Sequence, residues 1–301
     1  MNSKILSLNP DDLSIPERHG FLLNAVAPRP IAFVSTIDLD GQVNLSPFSF
    51  FNVFSSNPPV MIFSPARRGR DNTTKHTFEN VKAVPECVIS IVNHPMVEQM
   101  SLASTEYPKD VCEFDKAGFT QVASEIVKPP RVGESPANFE CKVQQIIELG
   151  DQGAAGNLII CRVVKMHFRS EYLTDGMLDT EKLDLVGRMG GIWYNQASGS
   201  SLFEIPKPLS TLGIGIDALS AAVRNSPILT GNDLGRLGNL DALPTEVEIR
   251  IVQASDLYQS ILTSAESDPE NFQKVLHIKA QEMINADKNK EALALLYCFT
   301  K

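Results

Sequence analysis

The sequence predicts a mainly β fold with short helices, closed as a barrel, followed by an α-helical C-terminal extension. Short apolar runs rich in β-branched residues, bounded by Gly, Pro and Asp, fill the stretch from Phe21 to about Ser170. A mostly antiparallel set of such strands needs an architecture without long exposed edges, and barrel closure supplies one. Beyond Ile205-Pro206-Lys207-Pro208 the β-branched alternation fades and Ala, Leu, Gln, Lys and Glu dominate. A chain of 301 residues exceeds the usual single-domain size, so two domains are expected, 1–208 and 209–301.

Strands are expected near Ile31–Ile37, Gln42–Leu45, Val60–Ser64, Val88–Asn93, Phe139–Leu149 and Leu158–His167. The first two form a hairpin across Asp38-Leu39-Asp40-Gly41, and Pro47 should then interrupt the ladder because it has no amide to donate. Helices are expected from Thr73 to Ala83, with Phe78 and Val81 facing the core, and from His94 to Ser104. In the extension, Asp217–Asn225, Pro244–Ser267, Pro269–Asp287 and Lys288–Tyr297 read as helices. Phe272, Val275, Leu276 and Met283 recur at near-helical spacing, so one face of the third should be packed.

Composition narrows the function. Hydrophobic residues make up 43% and charged residues 21%, an ordinary globular balance, and a net charge of −9 argues against a nucleic-acid surface. The five cysteines are widely spaced with no C-x-x-C pair, as expected of reduced, buried thiols. No segment is apolar for long enough to span a bilayer and the N-terminus lacks a secretory pattern, so a cytoplasmic protein is expected. The five histidines form no metal-ligand spacing, no G-x-S-x-G elbow is present, and no metal is expected.

Two places look built for a ligand. From Arg29 to Pro59, hydroxyls (Ser35, Thr36, Ser49, Ser55), Asn52 and the rings of Phe48, Phe50, Phe51 and Phe54 gather on one corner suited to a flat ligand. Downstream, Arg67, Arg68, Arg70 and Lys75 fall within nine residues of a net acidic chain, beside Asn72, Thr73, Thr74 and Thr77. With a helix starting among these threonines, guanidinium, ammonium, hydroxyl and free amide donors would converge on a phosphate.

The motifs RPIAFVST, GQVNLSPFSFFNVFSS with the following NPP, KHTFENV and GRMGGIWY resemble, in order and spacing, the flavin reductase-like family. The resemblance runs from about Phe21 to about Pro208 and implies an FMN-binding split β-barrel in which flavin takes hydride from NADH or NADPH. It assigns Lys75 and Thr77, with Ser55, to the flavin phosphate, and Arg70 belongs to the same basic cluster. It places Ser35, Thr36, Ser49, Phe51 and Asn52 along the isoalloxazine, several through their backbone, and brings Trp193 near the flavin or the nicotinamide entrance, although a plain core tryptophan fits that position about as well. His76 departs from the family pattern, where an acidic residue commonly caps the helix. No catalytic acid or base is required, because the cofactor carries the chemistry. The resemblance also implies a homodimer and an electron acceptor, with a protein partner among the candidates. The alternatives are a flavoredoxin-like FMN electron carrier reduced by a protein donor, and a non-enzymatic flavin-binding module. The helical extension is not part of the family's minimal pattern.

Overall fold

The computed structural model describes residues 4–205, 212–264 and 268–299. The chain divides into two compact units, Met1–Phe203 and Glu204–Lys301. The boundary expected at Pro208 lies outside the described residues, as does the expected helix end at Ser267.

The first unit opens on α1 (Ile15–Ala25), started by a reciprocal capping box in which Ser14 and Glu17 each bond the other's backbone amide. Sequence analysis had placed no element there. Its seven-stranded sheet contains β1 (Ala32–Ile37), β2 (Val43–Phe48), β3 (Phe51–Ser56), β4 (Pro59–Phe63), β5 (Glu86–Ile91), β8 (Ala137–Glu148) and β9 (Asn157–Phe168). The two-residue strands β6 (Gln121–Val122) and β7 (Arg131–Val132) form a separate ladder. All neighbouring strands are antiparallel, in the order β2-β1-β5-β8-β9-β4-β3. The two end strands are consecutive in sequence, with only Ser49 and Phe50 between them. Three Cα steps reach at most about 11 Å, so the sheet must roll until its edges nearly meet. This rolled sheet is the split barrel.

The β1–β2 turn follows the sequence closely. Asp38 Oδ1 accepts from the amides of Asp40 at 3.0 Å and Gln42 at 2.9 Å, and Gly41 takes the left-handed φ of 83° that a side chain would resist. Pro47 does not break the ladder: it sits opposite Phe33 inside β2. It is tolerated because β2 is an end strand, where a missing amide removes no inner bond. The other end strand, β3, carries a register shift between Val53 and Ser55. Such a bulge twists an edge away from further pairing.

Helices α2 (His76–Ala83), α3 (Val97–Leu102) and α4 (Glu113–Ala117) pack on the barrel. The α2 start expected at Thr73 falls at His76 instead. Asp71 Oδ1 captures the Thr73 amide at 3.0 Å and its hydroxyl at 2.7 Å, and Asn72 is left-handed, so the chain turns once more before entering the helix. The unit ends in two hairpins, β10 (Leu173–Thr174) with β11 (Met177–Leu178), and β12 (Leu185–Arg188) with β13 (Tyr194–Ala197), separated by the short α5 (Thr180–Leu183).

The second unit is helical: α6 (Ala221–Arg224), α7 (Gly231–Gly238), α8 (Glu246–Gln253), α9 (Asp256–Ser264), α10 (Pro269–Asn285) and α11 (Asn289–Tyr297). The single helix expected from Pro244 divides in two. The Ser255 hydroxyl donates to Val252 O at 2.6 Å and accepts from the Tyr258 amide at 3.3 Å, ending one helix and starting the next. Phe272, Leu276, Ala280 and Ile284 of α10 are buried with Leu293, Leu295 and Leu296 of α11 in a core belonging to this unit. Among the described residues, no helix is long and apolar enough to cross a membrane.

Candidate functional site

The basic segment ahead of α2 forms a defined cluster. Arg68 Nε lies 3.1 Å from a Glu106 oxygen, Lys75 Nζ lies 3.4 Å from the same oxygen, and Arg70 pairs closely with the other. Arg68 also donates to Thr73 Oγ1 at 3.0 Å and to the Thr74 carbonyl, which fixes its guanidinium. Arg67 is committed elsewhere, donating to Asn72 Oδ1 and Asn72 O, both at 2.7 Å. Burial works to raise the Glu106 carboxyl, but the Lys75 charge and the Arg68 contacts outweigh it and hold the group below its ordinary value. The residue at the head of α2, Lys75, makes no side-chain cap, so no side chain takes up the first amides of the helix.

The predicted phosphate residues divide. Arg70 and Lys75 belong to this cluster, whereas Thr77 is buried and its Oγ1 accepts from Asn44 Nδ2 at 2.9 Å. His76 is held below the ordinary imidazole value, first by burial and then by the charges of Arg68, Lys109 and Lys75. It is therefore neutral near pH 7 and adds no positive charge to the cluster.

The corner residues divide as well. Ser35 and Thr36 have no exposed surface; Ser35 Oγ donates to the Pro130 carbonyl and Thr36 Oγ1 accepts from Asn80 Nδ2 at 3.1 Å. The two hydroxyls lie on opposite faces of β1 and both are taken up by internal bonds, because β1 is an inner strand covered on both faces. Ser49 is half-buried between β2 and β3, and Phe51, Asn52 and Ser55 lie on the β3 edge. The Asn52 side chain turns back to its neighbour, accepting from the Val53 amide at 2.8 Å. Phe50, Val53 and Phe54 stand exposed beside them. Trp193 is 73% exposed at the β12–β13 turn, which rules out a core role. A surface depression on the β8–β9 ribbon, lined by Lys142, Gln144, Arg162, Val163 and Val164, includes none of these residues.

One residue that sequence reasoning passed over ties the corner together. Arg29 is 6% exposed and its guanidinium donates to the carbonyls of Leu23 at 2.7 Å, Val26 at 2.5 Å and Met189 at 2.9 Å, and weakly to Ser49 Oγ at 3.5 Å. It thus links the C-terminal end of α1, the β12–β13 turn and the β2–β3 corner, with the negative end of the α1 dipole as its counter-charge. Burial, then the nearby Arg188, lowers its pKa from the ordinary arginine value. Gly190 completes the joint: a Cβ there would sit 1.6 Å from Asn24 Oδ1 of α1. The signal was the Arg29-Pro30 pair itself, but nothing in a sequence tells a buried clamp from an exposed charge.

Residues 25–183, which contain β1 to β11 and the basic cluster, match the flavin reductase like domain. The chain belongs to this family. An uncharacterized protein of Halalkalibacterium halodurans is 39% identical over 193 residues, covering 64% of this chain and 92% of that one. Among solved structures, nitrilotriacetate monooxygenase component B from Bacillus cereus is 28% identical with a TM-score of 0.63, covering 68% of this chain and all of that one. A split barrel domain protein from Shewanella frigidimarina is 27% identical with a TM-score of 0.56, covering 66% of this chain and 96% of that one. The Trp193 turn and the helical unit lie beyond the family match.

Proposed function

We propose that this protein binds FMN and is an oxidoreductase that transfers hydride from NADH or NADPH to it, with electrons passing on to an acceptor. The observation that carries the reading is the convergence of Arg68, Arg70 and Lys75 ahead of the uncapped end of α2, within the part of the chain that matches the family. These groups suit a terminal phosphate: charge-assisted donors from three directions, beside free helix amides. FMN when bound supplies a ring that accepts hydride and releases electrons singly or in pairs.

The protein's own part is to bind and orient. Ser49, Phe51, Asn52 and Ser55 would border the ring from the β3 edge, largely through backbone, with Trp193 over the nicotinamide entrance. The side chains of Ser35, Thr36 and Thr77 would act one step removed, by holding the barrel wall. Exposure of Val53 at 54% and Phe54 at 64% supports packing of two copies against these side chains, rather than strand pairing along the bulged edge, as a homodimer. Deletion after Pro208 decides the part of the helical unit: flavin reduction that survives unchanged makes it a regulatory, oligomerisation or partner element, and reduction abolished in folded protein makes it complete the site; the protein is expected in the cytoplasm.

An anaerobic titration of FMN-loaded protein with NADH, then NADPH, tests the reading. Loss of oxidised-flavin absorbance with one nucleotide is the expected result. Bound flavin that neither nucleotide bleaches would overturn nicotinamide-dependent reduction and direct attention to a protein donor; failure to bind FMN at all would sink the site.

A further inference from the structure

Three cations in one cluster meet at one carboxylate, Glu106, and one of them, Arg70, also pairs with Asp71 at 3.2 Å. Glu106, in the loop between α3 and α4, places one oxygen against Arg68 at 3.1 Å and Lys75 at 3.4 Å, and its other oxygen against Arg70. The side chain is one-third exposed, whereas Arg68 is only 13% exposed and anchored by Thr73 and the Thr74 carbonyl. Arg68 is therefore held by the fold, whereas Arg70 is 70% exposed and Lys75 about as exposed as the carboxylate, so these two and Glu106 are the movable members of the cluster. A carboxylate and a terminal phosphate ask for the same donors in the same geometry, and two anions cannot share them without repulsion.

We propose that Glu106 is an internal competitor for the phosphate-binding cations, and that it sets how tightly flavin mononucleotide is held and how fast it leaves. The proposal rests on the reading of this cluster as the phosphate site. When no ligand is bound, Glu106 offsets part of the cluster's positive charge and keeps Arg68, Arg70 and Lys75 gathered. A phosphate entering must draw those donors away from it, so part of each new contact replaces an old one. Release is helped in the same way, because the carboxylate returns as the phosphate departs. The device favours an exchangeable flavin over a permanently bound one.

The test compares FMN with riboflavin, which lacks the phosphate, on the full-length chain and on Glu106→Gln, following affinity and release rate by flavin fluorescence. Wild-type protein should prefer FMN, and E106Q should bind FMN about five-fold tighter and release it more slowly, with riboflavin unchanged. Glu106→Asp keeps the charge but withdraws it by one methylene, and should shift FMN affinity in the same direction by less. If wild type prefers FMN but neither variant binds it more tightly, Glu106 organises the cluster rather than competing for it, and the proposal is overturned. If wild type binds both flavins equally, the phosphate reading itself fails and the proposal falls with it.

Discussion

The two units bury polar groups in different ways. In the barrel unit, buried polar side chains satisfy backbone of loops and of an end strand: Glu140 accepts from the amides of Glu125, Ile126 and Val127, Glu113 from Leu45 of β2, and Asn157 donates to the Pro65 carbonyl. In the helical unit the core is almost wholly apolar, and among its described residues the buried polar side chains are His277, which bonds Ser226, and Asp233, which accepts from Gln281; long-range bonds to backbone are fewer, such as Gln281 to Ile228 O and Arg236 to Ile284 O. A barrel closed by irregular loops leaves many backbone amides to be satisfied one by one, whereas helices satisfy their own. The barrel's loops are therefore held by individual side chains, and the helical unit by its packing.

The strongest way to break this contrast is at Glu140. It has no exposed surface, its bonds to Glu125, Ile126 and Val127 run 2.8, 2.6 and 3.0 Å, and its Oε1 lies 2.7 Å from His167 Nε2. Glu140→Ala should cost about 3 kcal/mol in urea unfolding of the barrel, because three amides and an imidazole lose a fully buried acceptor at once. Glu140→Gln keeps one acceptor oxygen and should cost about half as much. A loss under about 1 kcal/mol for the alanine variant would mean that the 125–127 loop is held by something else.

Much of the barrel was legible because its inner strands are runs such as Ala32 to Ile37 and Val88 to Ile91, where β-branching and apolarity agree. Pro47 misled because a sequence does not say which strand ends the sheet. Helices α1 and α7 did carry signals, the Ser14–Glu17 and Thr230–Asp233 capping boxes, which were there to be found. The site was less legible. Arg70 and Lys75 stood out as charge in an acidic chain, but their carboxylate partner Glu106 lies over thirty residues from Lys75, and only folding brings it there. Thr36 and Thr77 have the right chemistry for a ligand, yet the pleat and the helix face turn them inward onto Asn80 and Asn44.

That inward turn sharpens the contrast within the barrel itself, since Lys75 and Thr77 sit two residues apart and should behave differently. Lys75→Ala should weaken FMN binding by about 1 kcal/mol and leave stability within about 0.5 kcal/mol of wild type, its pairing being partly exposed. Thr77→Val removes the acceptor for Asn44 Nδ2 in a buried setting and should cost about 1 kcal/mol of stability while changing FMN affinity little. Equal losses of FMN affinity in both variants would put the Thr77 hydroxyl on the phosphate after all.

The smallest effect tests a buried polar pair of the helical unit. His277 is buried on α10 with Nδ1 2.7 Å from Ser226 Oγ, and burial lowers its pKa from the ordinary 6.5. With the folded pKa below the unfolded one, the unfolded chain takes up a proton first as pH falls. The stabilisation is complete above 6.5 and is lost as pH drops from there towards the folded value. Amide exchange at Leu276 and Ala280 should therefore quicken below that pH, after correction for the intrinsic rate, while buried amides of β1 show no matching step. His277→Asn, which can keep a polar atom near the position of Nδ1, should flatten the response. A helical unit whose protection is the same on both sides of that window would show that the pair is hydrated when the imidazole titrates, and that the two units differ less in how they treat buried polarity than their bonding patterns indicate.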